Sequence, residues 1–157
     1  ITKEMVSEAV EEVIGEIKSS GGLAGVHICA NGDWSPVLKS AADIISFDAY
    51  FFFDNFILYK EMLTHYLQRG GILAWGIVPT SDPDVLEQVD SDVLFALFLK
   101  QLGTLSRFGF SQKRILEQTL IAPSCGTGSL SIELATKVIQ LTAEVSVRAR
   151  TFLNELQ

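Results

Sequence analysis

The chain has 157 residues, a formal net charge of −7, and 48% hydrophobic against 20% charged side chains. That is one ordinary domain with enough apolar mass for a real core, and too apolar to be disordered. The acidic balance argues against nucleic acid as a partner. Even the densest apolar run, Val93–Leu99, stops at Lys100 and Gln101, short of a membrane span.

In chain order, Met5, Val6, Ala9, Val10, Val13, Ile14 and Ile17 recur at helical spacing, opposite Glu8, Glu11, Glu12 and Glu16. Gly21-Gly22 ends that helix. A strand over Leu23–Cys29 follows, then an Asn31-Gly32-Asp33 turn and a short helix over 35–41 with Pro36 in its first turn. The run 43–48 reads as a second strand, 55–69 as a helix closed by Gly70-Gly71, and Ile72–Val78 as a third, buried strand. Asp84 and Glu87 suggest a capped helix start, with one long helix or two running to about Gly103. A short helix over 111–118 leads to a fourth strand, 120–123, and a last helix from about Ser131 to Leu156. That last helix is expected to carry Ile132, Ala135, Val138, Ile139 and Thr142 on one face.

Apolar strands alternating with helices imply an α/β fold with a parallel sheet. Two architectures satisfy this order: an open doubly wound sheet, or part of a (β/α)₈ barrel. In both, binding groups gather at the carboxyl ends of the strands. His27, Cys29, Asp48 and Cys125 all fall there.

His27 and Cys29 are two apart, so a strand aims them the same way. Cys125, the only other cysteine, ends a different strand. Two cysteines make no disulfide framework, and they fit free thiols or a metal site in a reducing compartment, with buried core thiols or an adventitious Cys29–Cys125 disulfide as the plainer alternatives. With no secretory leader pattern, a cytoplasmic location is expected. A tetrahedral zinc site with one open position is the sharpest reading of these three residues. Zinc deprotonates any thiol it binds, and an electron-rich site of this composition suits thiol activation for alkyl transfer better than water activation.

His27-Ile28-Cys29 together with Cys125 in Ala122-Pro123-Ser124-Cys125-Gly126 resembles the His-x-Cys…Cys zinc motif of cobalamin-independent methionine synthases and methylcobamide:coenzyme M methyltransferases. The His-Ile-Cys segment is also similar to one in uroporphyrinogen decarboxylase, a fold relative. The resemblance implies four βα units forming the C-terminal half of a (β/α)₈ TIM barrel. It also implies zinc on His27, Cys29 and Cys125, with Asp48 standing where methionine synthases carry a glutamate ligand. The implied reaction is methyl transfer to a zinc-bound thiolate such as homocysteine, from a folate or a methylcorrinoid protein. The chain departs from that pattern in two places. Asp48 is a methylene shorter than glutamate, and Val78–Asp82 lacks the histidine that methionine synthases carry after this strand.

Asp33 and Asp82 are candidates for gripping a substrate amine, and Trp75 or Trp34 for walling a pocket. Tyr50–Phe53 line either a pocket or the core. His65 is expected within a helix without a ligand role. Gly126-Thr127-Gly128-Ser129 is equally a phosphate cradle or a tight turn presenting Cys125.

Four strands cannot close an eight-stranded barrel. The sequence opens on Ile1 and begins a helix at once, so the first expectation is half of a longer enzyme. A homodimer completing the barrel is the second, and a free-standing open α/β sandwich the third. The functional alternatives are a non-catalytic binding module with structural cysteines and a decarboxylase-like enzyme using Asp48.

Overall fold

A computed structural model describes residues 2–156. It is an α/β fold built on a four-stranded, all-parallel sheet. Helix α1 (Lys3–Ser19) starts at Thr2, whose hydroxyl accepts from the Met5 N–H, and stops before Gly21, which adopts φ +78°. Strand β1 (Gly25–Ile28) is followed by α2 (Ser35–Lys39) and β2 (Ile44–Asp48). Helix α3 (Ala49–Phe56), a 3₁₀ turn (Ile57–Tyr59) and α4 (Lys60–Gln68) lead to β3 (Ile72–Val78). Then come α5 (Pro83–Gln88), α6 (Ser91–Ser106), α7 (Gln112–Glu117), β4 (Thr119–Pro123) and α8 (Ile132–Glu155).

The strands lie in the order β1-β2-β3-β4, and the sheet stays open, with β1 and β4 at its edges. Registered partners in a parallel pair project to the same face. Ile45, Phe47, Leu73, Trp75 and Ile77 project to one face and are fully buried against helices. His27, Ser46, Ala74 and Leu120 are register partners on the opposite face, where His27 and Leu120 are exposed. The large apolar core therefore lies on one side of the sheet. Its centre is aromatic: Phe47 stacks on Phe56 at 4.2 Å, and Trp75 stacks on Phe53 at 5.7 Å.

The amino ends of the strands are pinned separately. The Tyr66 hydroxyl lies 2.9 Å from the Asp43 carbonyl and 3.0 Å from that of Ile72, bridging the starts of β2 and β3. Burial pushes the Tyr66 hydroxyl pKa well above its ordinary value. The Asp43 carboxylate accepts from Lys18 Nζ at 2.7 Å and from the Ala24 N–H at 2.9 Å, tying α1 and β1 to β2.

Several element boundaries differ from the sequence reading. Tyr50–Phe53 are helical, because the Asp48 carboxylate accepts from the Phe51 N–H at 2.9 Å and starts α3 immediately after β2. The cap of α5 is Asp82, two residues before Asp84, with Pro83 in the first helical position. A separate cap at Asp90 begins α6. In α8 the buried side chains are Val138, Leu141, Val145 and Ala149, whereas Ile132 and Ile139 face solvent. No helix among the described residues is long and apolar enough to cross a membrane.

Candidate metal centre

His27 lies in β1 and Cys29 one residue past its end, while Cys125 follows β4 by two residues. One ligand atom from each of the three lies within 4.8 Å of the others, although β2 and β3 separate their strands. In a flat sheet the first and fourth strands stand about 14 Å apart, more than two cysteine side chains span. The chain closes that gap at the tip of β3. The β3–β4 register shifts between Gly76 and Val78, and the Ser124 N–H donates to the Val78 carbonyl at 2.8 Å.

Gly76 permits the approach. A Cβ at that position would overlap the Phe47 carbonyl oxygen and come within 2.8 Å of Ser124 Cα and 3.0 Å of the Pro123 oxygen. Without a side chain at Gly76, the segment leaving β4 leans across β3. Ser124 is then locked in place: its Oγ accepts from the Thr80 N–H at 3.1 Å and lies 3.0 Å from Thr80 Oγ1, all of it buried. Cys125 is carried next to this anchor, partly exposed.

His27 is oriented by Ser46, whose Oγ lies 2.9 Å from Nδ1 on the neighbouring strand. With Nδ1 donating to that hydroxyl, the Nε2 lone pair is free for a cation. Both cysteines are free thiols, with Cys29 exposed. Two sulfurs and one imidazole nitrogen match the soft, borderline donor set that zinc prefers. Ligand atoms on tetrahedral zinc sit about 3.6–3.8 Å apart, so the triad reaches bonding geometry by a small contraction.

The remaining sequence candidates fall elsewhere. Asp48 is not among the side chains brought within that span. It lies buried on the same face as Ser46, but its carboxylate is engaged by the N-terminus of α3. Burial raises its pKa, while the N–H groups of Phe51 and Tyr50 and the charge of His27 pull the other way. Asp33 accepts from the Ser35 N–H and hydroxyl and pairs with Lys3 at 2.8 Å, which holds its carboxyl far below the usual range. Asp82 caps α5 through the Asp84 and Val85 N–H groups. Each of these two carboxylates is already occupied by a local turn, the commonest role of Asp at such positions.

Trp75 is a correction to the sequence reading. It is fully buried on the helix-facing side, opposite His27, and donates its indole N–H to Gln101 Oε1 at 2.6 Å; Gln101 in turn donates to the Ala49 carbonyl. Trp34 is equally buried, edge-on to Phe56 at 5.0 Å within the core. Phe53 belongs to the core and His65 is exposed on α4. Ser46, Gly76, Thr80 and Ser124 were not singled out from sequence. The one available signal was Ser46, a polar residue inside an apolar strand, two positions before Asp48.

Compared with family models, curated proteins and solved structures, the chain matches none.

Proposed function

We propose that His27, Cys29 and Cys125 hold a zinc ion that activates a small thiol, homocysteine-like, for methyl transfer. We further propose that the open sheet is half of a (β/α)₈ barrel. The observation that carries the reading is the meeting of the chain's only two cysteines with His27, within 4.8 Å, from strands at opposite edges of the sheet.

Cys29 and Cys125 would bind as thiolates and His27 through Nε2, the Nδ1–H then donating to Ser46 Oγ on the other side of the ring. A zinc ion bound there would supply a substrate thiolate at neutral pH and a position to hold it. Two thiolates and a neutral imidazole already balance a divalent charge, so a third sulfur keeps its nucleophilic electron density. Because His27 and Cys29 are exposed, the triad is open to a substrate and to a bulky methyl donor, a folate or a methylcorrinoid protein.

The half-barrel reading is supported by the sequential strand order and by a core confined to one face of the sheet. Both open edges expose apolar side chains. Val13 and Leu23 are exposed beside β1, and beside β4 Leu120, Ala149 and Leu153 share a groove with Glu117 and Arg150. Such edges call for a covering partner, either further βα units or a second copy.

Cobalt(II)-loaded protein tests the thiol-binding reading. Adding homocysteine is expected to strengthen the sulfur-to-cobalt charge-transfer absorption, and homoserine, with a hydroxyl in place of the thiol, is expected to leave it unchanged. An unaltered spectrum with both compounds would contradict the proposal.

A further inference from the structure

We infer that Cys29 and Cys125 form a reversible intramolecular disulfide in the metal-free protein, making the pair a site of oxidative modification. Both sulfurs are free and lie within 4.8 Å of one another, and both are open to solvent at least in part. The contact joins residues 96 positions apart, 125 − 29, at the two edge strands of an open sheet. Cys29 sits just beyond the end of β1. Cys125 is followed by Gly126 and Gly128, neither of which meets a neighbouring atom where a Cβ would be. Closing the remaining distance to a sulfur–sulfur bond calls for side-chain rotation and movement of the segment after Cys125, on the far side of that residue from the Thr80–Ser124 anchor.

The oxidant is a hydroperoxide. One thiolate attacks the peroxide oxygen, forming a sulfenic acid and releasing water or an alcohol. The second thiolate then displaces hydroxide from the sulfenic sulfur. Two thiols and one hydroperoxide become one disulfide, one water and one water or alcohol; the sulfurs lose two electrons and the peroxide gains them. A dithiol reductant reverses the step. The bond takes both sulfurs away from any cation and fastens the carboxyl end of β1 to the segment leaving β4. This inference is independent of the metal proposal.

The test uses the whole chain, stripped of metal by a chelator and then treated with hydrogen peroxide in slight excess. Both titratable thiols should disappear together, the intact mass should fall by two hydrogens, and a peptide map should link 29 to 125. The rate should not depend on protein concentration, and the thermal midpoint of the oxidised chain should rise, because a long loop is closed. Cys29→Ser and Cys125→Ser proteins should instead gain oxygen or couple between chains, at a rate that does depend on concentration. Persistence of both thiols in the wild type would overturn the inference. So would concentration-dependent coupling between wild-type chains as the only product.

Discussion

Gly76→Ala is the substitution through which the backbone account of the site is most exposed to test. The new methyl would press on Ser124 Cα from 2.8 Å and on the Phe47 carbonyl, both of them backbone atoms. Carbon pairs settle at about 3.5–4.0 Å, so Ser124 must retreat by at least roughly 0.7 Å. Overpacking of this kind costs about 1–3 kcal/mol, and the upper half applies when no flexible side chain can give way. For a domain of this size that lowers the thermal midpoint by roughly 4–12 °C, at 2–4 °C per kcal/mol. Cys125 adjoins Ser124, and metal–ligand distances tolerate only about 0.2 Å. Zinc affinity should therefore fall as it does on loss of a supporting hydrogen bond, by about 10–100-fold. Thermal melting of the metal-free protein and chelator competition measure the two effects separately. Gly126→Ala is the matched control: its Cβ meets nothing within 4 Å, so stability should stay within about 0.5 kcal/mol. A Gly76→Ala protein matching wild type in both assays would refute the close-approach argument.

Three further outcomes are expected. Ser46→Ala should weaken zinc binding by about 10–100-fold with little change in melting, and Ser46→Thr should restore it by returning the hydroxyl to His27 Nδ1. Trp75→Phe should destabilise the fold by about 1–3 kcal/mol in denaturant titrations, since it strips buried Gln101 of its donor, and should leave metal affinity unchanged. The hydrogen bonds from Lys18 and from the Ala24 N–H hold the Asp43 carboxyl below its ordinary pKa. A depressed folded-state value means its contribution is fully present above the unfolded pKa and fades as pH drops through the folded one. Asp43→Asn should therefore be less stable than wild type at neutral pH, with the difference narrowing below about pH 4.

The parallel α/β class and the third strand were legible in sequence because a strand buried in a parallel sheet reads as an unbroken apolar run. Ile72–Val78 matches its expected bounds to the residue. The sequence pattern starts the helix after β2 too late, because Tyr50–Phe53 carries no helical signature of its own and the start depends on one capping side chain, Asp48. Of the residues read as one face of α8, Val138 meets the core together with Leu141, Val145 and Ala149, whereas the apolar Ile132 and Ile139 turn outward. His27, Cys29 and Cys125 could be nominated from their positions at strand ends. Ser46, Gly76, Thr80 and Ser124 could not, since their roles come from contacts between strands. The same distinction separates Asp33 and Asp82, in loops, and Asp48, at the end of β2, all of which serve the backbone beside them, from residues that converge in space.

Metal content of the wild-type chain, loaded with zinc and dialysed, tests the central claim most directly when read beside the two cysteine variants. About one zinc ion per chain is expected, lost from both Cys29→Ser and Cys125→Ser proteins while their circular dichroism stays that of the wild type. A wild-type chain that retains no zinc, or variants that retain it undiminished, would contradict the account.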